Sequence, residues 1–179
     1  MNVPNILTLS RILMIPVFVL VFFLPFSWGP MASAIIFALA AMTDWLDGYL
    51  ARRLDQSTPL GAFLDPVADK LMVAVALTVL IHDYGSLVMT LPAMIIIGRE
   101  IVISALREWM AEMGKRASVA VSFIGKIKTT CQMVSIVILL AFPQGEWQAH
   151  VGLVVLVAAA GLTLWSMCLY LKAAWKELR

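Results

Sequence analysis

Asp44-Trp45-Leu46-Asp47-Gly48-Tyr49-Leu50-Ala51-Arg52, then eight residues, then Gly61-Ala62-Phe63-Leu64-Asp65-Pro66-Val67-Ala68-Asp69: this stretch sets four carboxylates into two otherwise apolar runs. Asp44 and Asp47 are three apart, Asp65 and Asp69 four apart. On an α-helix each pair shares one face, one turn above the other. The connection from Arg53 to Thr58 is short and polar, so the two helices are predicted to be antiparallel neighbours. Four carboxylates then converge on one small volume. Repulsion at that density is tolerated where several are protonated or where cations fill the site.

The rest of the chain is apolar. Of 179 residues, 62% are hydrophobic and 13% charged, with a mean hydropathy of +0.95; soluble domains carry about a quarter charged residues. The charges cluster and leave windows near the ~20 apolar residues that cross a bilayer. The ~10-residue alternating segments of a β-barrel are not visible. The predicted class is an all-α membrane protein, a six-transmembrane-helix bundle forming one domain over 1–179, without repeat or linker. Cys131 and Cys168 sit singly in apolar runs and read as small buried hydrophobes. His82 and His150 fall in predicted connections, without ligand spacing. Arg11 lies inside the first apolar run and a Pro/Gly-rich turn follows it, so that run reads as a retained helix rather than a cleaved signal.

The helices are predicted at about 6–23, 31–52, 60–81, 90–112, 119–142 and 150–173. With a cytoplasmic N-terminus, segments 25–30, 82–89 and 143–149 face outward and contain no Lys or Arg. The inward segments hold Arg52, Arg53, Lys115, Arg116, Lys172, Lys176 and Arg179. The positive-inside rule then places both termini and the aspartate turn in the cytoplasm. Trp28, Trp147, Trp109 and Trp175 suit interfacial belts, and Trp45 and Trp165 are read as packing within the bundle.

Charges also lie within the helices: Arg11, the four aspartates, Lys70, Arg99, Glu100, Arg107, Glu108, Lys126 and Lys128. Each costs on the order of 2.5–3.5 kcal/mol near the bilayer centre. Nearly all fall in the cytoplasmic half of their helices, which predicts a polar active-site cavity open to the cytoplasm beneath an apolar outer half. Carboxylate-only oxygen ligands favour hard cations, Mg²⁺ or Mn²⁺. Two such ions about 3.5–4 Å apart are a standard arrangement for displacement at phosphorus. Gly48 and Gly61 let a nucleotide or diphosphate approach the helix backbone, and Arg52 suits a bidentate phosphate contact. The plainer readings are close helix packing for the glycines and topological anchoring for Arg52 and Arg53.

The pattern Asp44-x2-Asp47-Gly48-x2-Ala51-Arg52-x8-Gly61-x3-Asp65-x3-Asp69 resembles the CDP-alcohol phosphotransferase signature at all eight defined positions. The likeness covers the whole chain, including the opening Pro4-Asn5-Ile6-Leu7-Thr8-Leu9-Ser10-Arg11. Gly98-Arg99-Glu100, Ser104 to Trp109 and Gly125 to Thr129 resemble the members that use glycerol 3-phosphate. The resemblance implies transfer of a phosphatidyl group from CDP-diacylglycerol to the sn-1 hydroxyl of glycerol 3-phosphate, giving phosphatidylglycerol phosphate and CMP. It implies that Asp44, Asp47 and Asp65 hold two divalent ions per site. Asp69 would be the general base, and whether it also ligates metal stays open. Gly48, Arg52, Thr58 and Gly61 would line the CMP moiety. Asn5, Thr8 and Arg11 would wall the same cavity or serve as helix-start and interface anchors. A bacterial inner-membrane homodimer, surrounded by membrane lipids, is also implied.

An acceptor phosphate needs cations. Ser104 and Arg107 share one face of the fourth helix, and Lys126 opens the fifth across the inner connection; these three are the predicted phosphate pocket. Lys128, two residues on, is expected to face elsewhere and snorkel to the interface. Arg99 and Glu100 lie deepest and read equally as a buttressing ion pair or a substrate contact. Lys70 is predicted not to partner Asp69. Serine, inositol phosphate or phosphatidylglycerol remain alternative acceptors, and a cation transporter is the alternative from another class. Nucleic acid has no support, since the basic residues of the connections and C-terminus read as membrane anchors.

Overall fold

In the computed structural model every regular element among the described residues is helical. It describes residues 3–54, 58–113 and 123–178, with side chains for all of these but 3–4, 44–54, 59–60, 62, 123–126 and 173–178. The helices are α1 Val3–Phe23, α2 Gly29–Leu54, α3 Pro59–Tyr84, α4 Leu87–Glu112, α5 Phe123–Ala141 and α6 Trp147–Leu178. Most outrun the predicted spans by two to five residues, because hydropathy marks the apolar stretch while the backbone stops only at a cap. The predicted start of the fifth helix lies outside the described residues. Asn5–Phe23, Leu87–Glu112 and Trp147–Lys172 are long and apolar enough to cross a membrane. Gly29–Thr43 and Ile127–Ala141 are apolar but shorter. In α3 the charges Asp65, Asp69 and Lys70 interrupt the apolar run.

Three turns gather at one end of the bundle. Gly85 caps α3 at φ 54° and donates its N–H to Ile81 O, a left-handed position that suits glycine. Gln144, between α5 and α6, donates from Nε2 to the Asp83 carbonyl at 2.6 Å. The Phe23 ring, closing α1, meets His82 edge-on at 5.4 Å. This is the turn end; the described N-terminal and C-terminal residues lie at the other.

The described residues pack α1 against α2 and α3, α5 against α2, α3 and α6, and α4 against α3 and α6. Among them α4 and α5 do not pack directly; α3 and α6 each touch both. The fully buried large side chains of the core cluster are Phe18, Phe37, Leu77, Leu80, Met89, Ile96, Ile136, Leu140 and Leu156. Each lies within nine residues of the turn end, so that half of the bundle is a hydrocarbon core. Two buried hydroxyls in it are satisfied internally: Ser33 donates to Gly29 O and Ser135 to Gly152 O.

Several expectations about single residues need correction. His82 and His150 lie in the last turn of α3 and the first turn of α6, not in connections, because both helices run past their apolar stretches. Cys168 is exposed and Cys131 only partly buried, and both are free thiols. Trp165, expected inside the bundle, is 66% exposed. Both Trp165 and Cys168 sit on an exposed face of α6. The Trp45 side chain lies outside the described residues.

Candidate active site

The acidic pairs are set by the α2–α3 hairpin. Asp44 lies fifteen residues from Gly29 and Asp69 fifteen from Tyr84, so both sit about 22 Å from the turn end. Asp47 and Asp65 follow at eighteen and nineteen residues, about 27–29 Å. Antiparallel backbones therefore put the four aspartates at two matched levels. Asp65 and Asp69 are partly exposed. The side chains of Asp44, Asp47, Gly48 and Arg52 lie outside the described residues, as does that of Lys126. Among the described residues no three His, Cys, Asp or Glu form a metal-holding group, and that search excludes the α2 pair.

α3 begins at a built cap. Thr58 Oγ1 accepts from the Gly61 N–H at 3.0 Å and donates to Asn5 Oδ1 at 2.9 Å. A β-carbon on Gly61 would stand 2.6 Å from Asn5 Oδ1. Thr58 and Gly61, predicted as nucleotide contacts, thus also join the start of α3 to the start of α1. One level further along these parallel helices, Arg11 Nη1 lies 3.6 Å from Asp65 Oδ1. Arg11 is 1% exposed, so the interface-anchor reading does not hold; Asn5 and Thr8 are buried on the same stripe.

The cations of α4 and α5 form a second pole. Arg99 and Lys128 lie twelve and thirteen residues from the turn end, about 18–20 Å, close to the level of Asp44 and Asp69. Lys128 is 3% exposed. It does not snorkel; it feels the charges of Arg99, Glu100 and Arg107. Arg99 Nη1 pairs with Glu100 Oε1 at 2.6 Å, while its buried Nε has no hydrogen-bond partner among the described residues. At this level Arg99 and Lys128 outweigh Glu100 and leave a net positive charge, which suits an anionic phosphate. Of the predicted pocket, Ser104 Oγ donates to the Glu100 carbonyl at 2.6 Å. Arg107 is exposed, its guanidinium 5.5 Å over the Tyr170 ring, about 12 Å further from the turn end than Arg99.

The missed residue is Lys128, and a signal for it exists. Lys128, Gln132, Ser135 and Leu139 recur at helical spacing, and all four are buried. Extending the helical period of α5 backwards from Leu139 reaches Lys128 and not Lys126.

The profile of the CDP-alcohol phosphatidyltransferase family matches residues 1–165. The chain belongs to this family. The CDP-alcohol phosphatidyltransferases are generally divalent-metal dependent, in keeping with the acidic hairpin. Among full-length relatives, the CDP-diacylglycerol–glycerol-3-phosphate 3-phosphatidyltransferase of Pseudomonas fluorescens is 58% identical over 181 residues, covering 100% of this chain and 93% of the relative. The proteins of the same name from Salmonella paratyphi A and Shigella flexneri are each 59% identical over 177 residues, covering 99% of this chain and 97% of theirs.

Proposed function

We propose that this phosphatidyltransferase is a CDP-diacylglycerol–glycerol-3-phosphate 3-phosphatidyltransferase. It moves the phosphatidyl group of CDP-diacylglycerol to the sn-1 hydroxyl of glycerol 3-phosphate and releases CMP. The observation that carries the reaction is end-to-end identity near three-fifths with enzymes of that name.

The donor set fits hard divalent cations: it offers carboxylate oxygens alone, at matched levels of two antiparallel helices. Asp44, Asp47, Asp65 and Asp69 would hold two ions, Mg²⁺ or Mn²⁺, and these would neutralise charge on the donor diphosphate. Gly48 and Arg52 border the nucleotide, with Thr58 and Gly61 shaping the start of α3 beside it. Asp69 accepts the proton of the sn-1 hydroxyl. The oxygen so freed bonds to the phosphorus bearing diacylglycerol as the bond to the CMP oxygen breaks. Lys128 and Arg99 receive the acceptor phosphate across the space flanked by α4 and α5, with Ser104, Arg107 and Lys126 towards its mouth.

The remaining reading is of a piece with this chemistry. Six helices span the inner membrane as one domain over 1–179, both termini are cytoplasmic, and the polar half opens to the cytoplasm, where glycerol 3-phosphate is dissolved. The protein is a homodimer.

The test is CMP release by purified protein in detergent with CDP-diacylglycerol and Mg²⁺, offering glycerol 3-phosphate, serine, inositol phosphate or phosphatidylglycerol. Release with glycerol 3-phosphate alone is expected. Release with another acceptor would keep the chemistry and overturn the substrate.

A further inference from the structure

We propose that Arg11 is a positioning residue for Asp65, fixing how that carboxylate is presented to a divalent cation. The inference rests on the reading that Asp65 is a metal ligand.

Arg11 is among the largest fully buried side chains, and a guanidinium is costly to bury without a partner. A partner among the described residues is Asp65, a carboxylate with two unlike sides. Asp65 Oδ1 is buried and faces Arg11 Nη1 at 3.6 Å, whereas the side chain as a whole remains 44% exposed. The buried side is therefore held from α1, and the other side is left open on the helix that carries Asp69 as well. The holding element is itself fixed. The Asn5–Thr58 hydrogen bond clamps α1 to α3 below the pair, and the Phe23–His82 ring contact joins them at the turn end. Arg11 thus reaches Asp65 from a backbone tied on both sides. A planar guanidinium suits that task better than an ammonium, whose single charge centre leaves the carboxylate plane unset. Groups that orient metal-ligating side chains typically govern metal affinity by about 10–100-fold.

The experiment measures Mn²⁺ binding by electron paramagnetic resonance on the full-length protein in detergent, without either substrate, so the readout is independent of turnover. Arg11→Met is expected to weaken Mn²⁺ binding about 10–100-fold. Arg11→Lys, which keeps the charge and is the safeguard should Arg11→Met fail to fold, is expected to weaken it about tenfold. In an Asp65→Asn background Arg11→Lys should add nothing, a coupling that a general packing role would not produce. Wild-type affinity, or tighter binding, in folded Arg11→Lys overturns the proposal, as does an equal loss in both backgrounds. If Asp65→Asn weakens binding while the Arg11 variants do not, this inference alone fails. If the wild-type protein binds no Mn²⁺, the metal reading fails with it.

Discussion

Asp69 and Gly61 show how differently two residues of one motif work. Asp69 sits at the level of Arg99 and Lys128, which suits the proposed role of base towards a hydroxyl whose phosphate those cations would hold. Asp69→Asn should lower kcat by about 10²–10⁴-fold, the usual worth of a positioned base, with the helical circular-dichroism spectrum unchanged. Wild-type turnover would remove Asp69 from the chemistry. Gly61 serves closeness: its missing β-carbon leaves room for the Asn5 carboxamide. Gly61→Ala should therefore destabilise the protein by about 1–3 kcal/mol, read as a lower Tm in detergent. An unchanged Tm would show that Asn5 moves aside at no cost. The motif made both residues legible in the sequence, but not the Asn5 contact, which joins positions more than fifty residues apart. Lys128 differs: its spacing from Lys126 points it away from that residue, and its place on the buried stripe of α5 brings it inside the bundle.

At the level of elements, the hairpin was readable because helical period alone pairs the aspartates and a short turn makes their helices antiparallel. Helix ends were less readable. The start of α3 depends on Thr58, whose hydroxyl caps Gly61 N–H while reaching Asn5. Thr58→Ala should cost about 0.5–2 kcal/mol, while Thr58→Ser, keeping the oxygen, should recover most of that Tm. Equal loss in both would assign the effect to the methyl group. α1 shows two opposed stripes. Asn5, Thr8, Arg11 and Phe18 are buried, while Ile6, Leu9, Leu13, Val17 and Leu20 are exposed. The inner stripe turns from polar to apolar towards the turn end, which foreshadows the division of the whole bundle.

Across the molecule, that division is the main result: an apolar half at the turn end and a charged layer beyond it. The turn-end segments lack Lys and Arg, so the proposed topology puts them outside the cell. A cysteine placed at Gln144, with Cys131 and Cys168 replaced by alanine, should react with a membrane-impermeant maleimide in intact spheroplasts. Labelling only in inverted vesicles would reverse the orientation. Sequence alone predicted the apolar and polar halves, since composition along each helix records depth. Composition does not reveal that Arg99 and Lys128 share a level with the aspartates, from helices that among the described residues do not pack on each other. The account stands on that split, with the donor at the acidic hairpin and the acceptor at the buried cations. Its most direct test is the pair of KM values for Lys128→Met. Losing a charged hydrogen bond of about 1.5–3 kcal/mol should raise KM for glycerol 3-phosphate by about 10–100-fold and leave KM for CDP-diacylglycerol within about twofold. An unchanged KM for glycerol 3-phosphate, or a rise confined to CDP-diacylglycerol, would contradict it.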